Sequence, residues 1–154
     1  MRAPIRRPGR IARVTIPIGP LHAADDDQAV ALWNTVGLVK PWNDPHRDLS
    51  RARAVWPDLL LAAADGDEVV GTVMAGYDGH RGWLYYLASA PHRRGEGIGR
   101  ALVAEAERRL EALGCPKVML MVRADNEPVL EYYDALDYQR ETTRLTGRRL
   151  IPDV

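Results

Sequence analysis

The chain has 154 residues, 46% of them hydrophobic and 27% charged, as in an ordinary soluble domain whose core is stable without staples. Lys plus Arg and Asp plus Glu both number 21, which excludes an overall field favouring nucleic acid or a membrane surface. No apolar run approaches the ~18 residues of a membrane span. Cys115 is the one cysteine, which excludes an intramolecular disulfide and fits a cytoplasmic setting.

Arg2, Arg6, Arg7, Arg10 and Arg13 crowd the beginning, so residues 1–10 read as a basic, solvated arm and residues 11–154 as one domain. Residues 11–18 alternate as a first strand, with Pro17 marking an edge or an end. Asp25, Asp26 and Asp27 open a helix that turns Ala29, Val30, Trp33 and Val36 inward, and Gly37 stops it. Two prolines around Trp42-Asn43-Asp44 predict a structured loop, and residues 48–54 one or two helical turns. Leu59-Leu60-Leu61-Ala62-Ala63 is a short buried strand, followed by the hairpin turn Asp65-Gly66-Asp67 and a return strand over residues 69–77. A second hairpin, Asp78-Gly79-His80-Arg81-Gly82, leads into a strand over residues 83–89.

After that strand comes Arg94-Gly95-Glu96-Gly97-Ile98-Gly99-Arg100, and then an amphipathic helix with Ile98, Leu102, Ala106, Leu110 and Leu113 on one face. Gly114 ends it, and the apolar run Val118-Met119-Leu120-Met121-Val122 predicts a strand buried on both faces. Asn126 caps a further helix with Val129, Leu130 and Tyr133 on one side, and residues 138–145 would form the last strand. The order is that of an α/β fold: a mixed sheet, antiparallel at first, with a helical crossover between two parallel strands.

A glycine-rich turn from strand into helix aims several backbone N–H groups, and the positive end of the helix dipole, at one spot. Such a place binds phosphate. The backbone of Gly95, Gly97 and Gly99, with the amides of Glu96, Ile98 and Arg100, would wrap it. Arg93 and Arg94 beside it either attract a further phosphate or are simply solvated.

The order strand, Arg-x-x-Gly-x-Gly, helix resembles the coenzyme A pyrophosphate loop of the GNAT acetyltransferases. Asn126-x-x-Val129-x-x-x-Tyr133-x-x-Leu136-x-Tyr138 is similar to that family's second signature. The resemblance implies a GNAT-like sheet with a splayed parallel strand pair and acetyl-CoA as cosubstrate. It implies no metal. It also implies that backbone at Leu87, Ala88 and Ser89 orients the thioester, that Asn126 contacts the coenzyme, and that Tyr133 is the general acid. A packed aromatic is the competing use of Tyr133. The family usually has a glycine where this chain has Asp137, a residue that tolerates the left-handed conformation.

The implied reaction is direct transfer of acetyl to a primary amine of a small molecule or protein. The rival reading is a non-catalytic acyl-CoA sensor or interaction module. Relatives in this family are frequently homodimers, and no nucleic-acid or membrane partner is expected. Met121 stands where one subgroup carries a glutamate base, so the base is unassigned. That matters because a lysine amine with pKa near ~10.4 is free base in only about one molecule per thousand at neutral pH. Asp78 and His80 are candidate bases or ordinary turn residues, and Tyr85 lines an acetyl pocket or packs in the core. Trp42 and Asn43 either recognise a cationic acceptor or serve the core and a local turn. The histidines lack zinc spacing, and Cys115 reads as a small buried filler.

Overall fold

The computed structural model describes residues 15–154; the basic arm and the first part of the predicted strand over residues 11–18 lie outside the described residues. The described strands are β1 (Ile18–Pro20), β2 (Leu60–Asp65), β3 (Glu68–Tyr77), β4 (Gly82–Ser89) and β5 (Val118–Leu120). They form one sheet in chain order. Its first three pairings are antiparallel and β4–β5 is parallel. Among the described residues four α-helices accompany it: α1 (Asp26–Thr35), α2 (Pro45–Val55), α3 (Ile98–Ala112) and α4 (Glu127–Asp134). The helical crossover between parallel neighbours is therefore α3, as the sequence order predicts.

The two faces of the sheet can be read from adjacent residues of β3. A Cβ on Gly71 would meet the side chains of Ile98 and Leu102, so that face receives α3. Thr72, next in sequence, points the other way and accepts a hydrogen bond from Trp33 Nε1 of α1 at 2.8 Å. Trp33, Leu60, Leu61, Val70, Val73, Leu102 and Leu110 fill the core on the two sides. Gln28 staples α1 to the β2–β3 hairpin, donating to the carbonyl of Asp67 and accepting from the amide of Val69. Arg53 of α2 grips Asp26 at the head of α1.

Several boundaries follow local chemistry. Gly37, Gly66 and Gly114 adopt φ of +77°, +60° and +82°, at the two helix ends and the hairpin turn where the sequence calls for glycine. Asp44 caps α2 by accepting from the amides of His46 and Arg47, with Pro45 in the first turn, so this helix is longer than the predicted one or two turns. Of the predicted α3 stripe, Ile98, Leu102, Ala106 and Leu110 are buried, and Leu113, just beyond the helix, is exposed.

Two expectations fail together. Residues 138–145 form no strand, and β5 is a half-buried edge of three residues, not a strand buried on both faces. The polar run Gln139-Arg140-Glu141 is held by side chains instead of a ladder. Arg140 pairs with Asp134 and Glu127, Glu141 pairs with Lys117, and Tyr138 donates to Glu107 of α3 at 2.7 Å. Without a covering strand, β5 borders an open cavity of about 440 Å³ that Leu130, Tyr133 and Leu145 also line. Val129, expected on the packed side of α4, is at the surface.

The closeness of Gly71 to α3 gives a stability test. A Cβ there would lie 2.6 Å from Ile98 Cγ2, 2.8 Å from Leu102 Cδ1 and 3.1 Å from the Ala88 carbonyl oxygen. Gly71→Ala is expected to destabilise the fold by about 1–3 kcal/mol through overpacking. Urea denaturation would show a lower midpoint with an unchanged slope, and an unchanged midpoint would contradict this packing.

Candidate active site

Strand β4 supplies the central feature. Its pairing with β5 ends at Leu84 opposite Leu120, whereas β4 itself continues to Ser89. Past Leu84 its edge toward β5 has no strand partner among the described residues, which leaves backbone groups free for a ligand. On its other edge, Thr72 pairs with Ala88 and Met74 with Tyr85, so Val73 alone faces both Tyr86 and Leu87. This is a β-bulge, and a bulge bends and twists its strand. The bend falls where β4 parts from β5.

Tyr86 sits in the bulge at φ +50°, a conformation costing a bulky residue on the order of 1–3 kcal/mol. Three contacts hold it there. Thr72 Oγ1 donates to its carbonyl at 2.9 Å, while accepting from Trp33. Its ring stacks on Trp33 with centroids 3.9 Å apart and planes 11° from parallel. Its hydroxyl donates to Asp48 at 2.6 Å and accepts from Asn43 Nδ2 at 2.8 Å, and Asn43 also donates to Asp48. Burial and the Asp48 carboxylate push the phenol well above its usual pKa, so it remains a donor. A stack worth about 0.5–1.5 kcal/mol and a charge-assisted bond of about 1.5–3 are enough to offset the backbone cost.

The glycine-rich turn lies beyond β4. Gly95 and Gly97 have φ of +84° and +78° with open space where a Cβ would be, so their backbone conformation, not crowding, calls for glycine. Gly97 is the N-cap of α3 and supplies no side chain to its first turn, leaving those first N–H groups available to an anion. Gly99 is different: a Cβ there would meet Tyr132 Oη at 2.8 Å and Ser89 Oγ at 3.3 Å. Arg93 binds Glu96 through two bonds and reaches Asp65 of the β2–β3 hairpin at 2.9 Å. It clips the loop to the sheet and is not a free phosphate ligand; the same clip holds Glu96 below its usual pKa. Arg94 and Arg100 are exposed and make no ion pair among the described residues.

The sequence profile of the family described as "Acetyltransferase (GNAT) family" matches residues 25–138, which include β4, the glycine turn and α4. The chain belongs to the GNAT acetyltransferase family. It is 47% identical over 130 residues to an acetyltransferase of Sodalis glossinidius and 48% identical over 130 residues to one of Pectobacterium atrosepticum. Each alignment spans 84% of this chain and 92% of the relative. Among solved structures, the ribosomal-protein-S18-alanine N-acetyltransferase of Escherichia coli matches with TM-score 0.70 and 19% identity, over 83% of this chain and 80% of that one. An aminoglycoside antibiotic 6′-N-acetyltransferase of Acinetobacter haemolyticus matches with TM-score 0.68 and 16% identity, over 88% and 99%. At these identities the solved structures show the shared fold. Family membership implies acetyl transfer from acetyl-CoA.

In this GNAT chain the residues proposed for the coenzyme, Asn126 apart, fall on one tract. Leu87, Ala88 and Ser89 close β4, and residues 94–100 follow as the loop and the first turn of α3. Asn126 is the N-cap of α4, exposed and with no side-chain capping bond, so its side-chain amide, unlike its backbone N–H, has no partner among the described residues. Asp137 adopts φ +66°, the left-handed conformation expected of the glycine it replaces. Tyr133 is 8% exposed and edge-packed between Tyr132 and Tyr138, and burial raises its pKa far above that of a free phenol. A phenol so placed is protonated at neutral pH.

On the acceptor side the alternatives separate. Trp42 is 54% exposed and plugs no core; it lines an open pocket together with residues 149–154. Asp153 of that segment pairs with Arg51 at 2.7 Å, and its carbonyl accepts from the Asp44 amide. Asn43 does both: its amide closes a local turn on the Lys40 carbonyl, and its side chain reaches Asp48 and Tyr86, the latter 43 residues away. Asp78 accepts from the amides of His80 and Arg81 and from Trp83 Nε1; those bonds keep its pKa low and commit it to its turn. His80 and Tyr85 are exposed, and Met121 is 49% exposed. In the sequence Asp48, Thr72 and Tyr132 carry no predicted site role and Trp33 only that of a core residue; their roles here come from partners far away in the chain.

Beside the ring stack, the hydroxyl of Thr72 links Trp33 to the bulge by hydrogen bonds. Thr72→Val leaves Trp33 Nε1 and the Tyr86 carbonyl without that partner in a site that is fully buried at residue 72. A loss of about 1–3 kcal/mol is expected by chemical denaturation, and a neutral effect would show that the bulge is held by other means.

Proposed function

We propose that this chain transfers an acetyl group from acetyl-CoA to an amine by direct attack, with both substrates held together. The observation that carries the reading is the junction of two binding features. The open N–H groups at the head of α3 adjoin the free edge of β4 past Leu84. The first fits a pyrophosphate and the second a pantetheine arm with its thioester, which supplies an acyl carbon activated by sulfur.

In this mechanism the amine nitrogen attacks the thioester carbon and the carbon–sulfur bond breaks. The bulge at Tyr86 and Leu87 orients the carbonyl, and Tyr133 gives its hydroxyl proton to the departing thiolate. The proton lost by the amine leaves through water, since Met121 cannot take it and Asp78 is committed to its turn. Such a site favours an α-amine near pKa ~7.8 over a lysine near ~10.4, because less free energy is needed to supply the free base. The exposed Trp42 and the Asn43–Asp48 pair form the side from which the acceptor enters.

Two substitutions test this reading. Gly97→Glu places a carboxylate, at a φ favouring glycine, where the phosphates bind. It should abolish the thermal shift that saturating acetyl-CoA produces; ligand at ~100 times Kd adds about 2.7 kcal/mol. No shift in the unaltered protein at millimolar acetyl-CoA would refute the coenzyme assignment. Tyr133→Phe should lower kcat at least tenfold and leave coenzyme affinity nearly intact, and equal kcat would remove Tyr133 from the chemistry. Coenzyme binding without turnover across a broad amine panel would instead make the protein an acyl-CoA sensor.

A further inference from the structure

Tyr132 precedes the tyrosine of the second signature, and the structure gives it a place of its own. A Cβ on Gly99 would lie 2.8 Å from its hydroxyl oxygen and 3.8 Å from its Cζ, so the absence of a side chain at Gly99 is what admits the phenol. The same Cβ would lie 3.3 Å from Ser89 Oγ. Tyr132 Oη therefore stands where the first turn of α3 meets the last residue of β4. Its ring packs edge-on against Tyr133, with centroids 5.3 Å apart and planes 85° from parallel, which fixes its direction. It is nonetheless 38% exposed, so the phenol borders open space and is not sealed in the core.

On the reading proposed above, a coenzyme lies with its pyrophosphate on the loop and its arm along residues 87–89. It must cross the Gly99–Ser89 junction, the point that Tyr132 overlooks. We propose that Tyr132 is a coenzyme-binding residue whose hydroxyl donates a hydrogen bond where the diphosphate joins the pantetheine arm, clasping the arm from α4. This gives Gly99 a reason distinct from that of Gly95 and Gly97: it makes room for a side chain from another element. It also separates the two adjacent tyrosines, Tyr132 holding the coenzyme and Tyr133 serving the leaving sulfur. Partial burial keeps the Tyr132 phenol protonated, as a donor must be.

The test is calorimetric titration of CoA into the unaltered protein, Tyr132→Phe, Gly99→Ala and the double variant. Tyr132→Phe keeps the ring and its contact with Tyr133, so an unchanged melting temperature is expected without ligand. CoA affinity should fall about tenfold, the loss of one hydrogen bond to a charged acceptor. With an active acceptor in hand, KM for acetyl-CoA should rise and kcat should change less than twofold, the reverse of Tyr133→Phe. Gly99→Ala should weaken CoA binding less in the Tyr132→Phe background than alone, because removing the hydroxyl removes the nearest clash. Equal CoA affinity in Tyr132→Phe and the unaltered protein would overturn the assignment, and strictly additive losses would overturn the role given to Gly99. Failure of the unaltered protein to bind CoA would be a different result, sinking the coenzyme reading itself.

Discussion

Tyr86 is held at φ +50° by contacts from three other elements, and the geometry of the site depends on that restraint. Trp33 of α1 stacks on its ring, Thr72 of β3 binds its carbonyl, and Asp48 of α2 takes its hydroxyl. A regular strand would have continued beside β5 and spent its backbone groups on a ladder. The bulge bends β4 at the place where pairing with β5 ends, and the edge of β4 facing β5 is left free to bind. Helices that elsewhere only cover the sheet here set its course.

The glycine-rich loop proposed to hold phosphate is restrained by a second set of contacts that is mainly ionic. Arg93 joins Glu96 within the loop to Asp65 on the neighbouring hairpin. The carboxylates of the clip reach solvent although the Arg93 side chain is largely covered, so water still screens the pairs; the use of the clip is to limit how the loop moves. It also neutralises the one acidic side chain of the loop, which would otherwise oppose a phosphate. The exposed Arg94 and Arg100 are left to supply positive charge. Preorganised N–H groups on a clipped loop need little reordering when an anion arrives.

Much of this was legible from local chemistry. Strand, glycine turn and amphipathic helix are read in one continuous stretch, and Gly97 at φ +78° is a property of the turn alone. The same holds for Asp137, whose left-handed conformation follows from its type and place after a helix. Tyr85 and Tyr86 show where local reading stops. A period-two pattern would put neighbours on opposite faces, but the bulge that places Tyr86 depends on a register with β3 that no such pattern contains. The strand expected over residues 138–145 fails for a related reason: alternation offers an edge, and ion pairs from α4 and Lys117 hold the segment elsewhere.

By itself the sequence determined which chemistry is present. It set a glycine-rich turn at the head of an amphipathic helix, a tyrosine on the helix after the next strand, and no carboxylate at residue 121. Those features rest on residue type and short-range spacing, which the covalent chain carries directly. Only the tertiary structure decided how they are used. It turned Asp78 into a turn cap and Arg93 into a clip, exposed Trp42, and brought Asn43 and Asp48 to Tyr86 and Tyr132 to Gly99. Those choices depend on which side chains meet across dozens of residues, and packing of helices on a bulged sheet settles that.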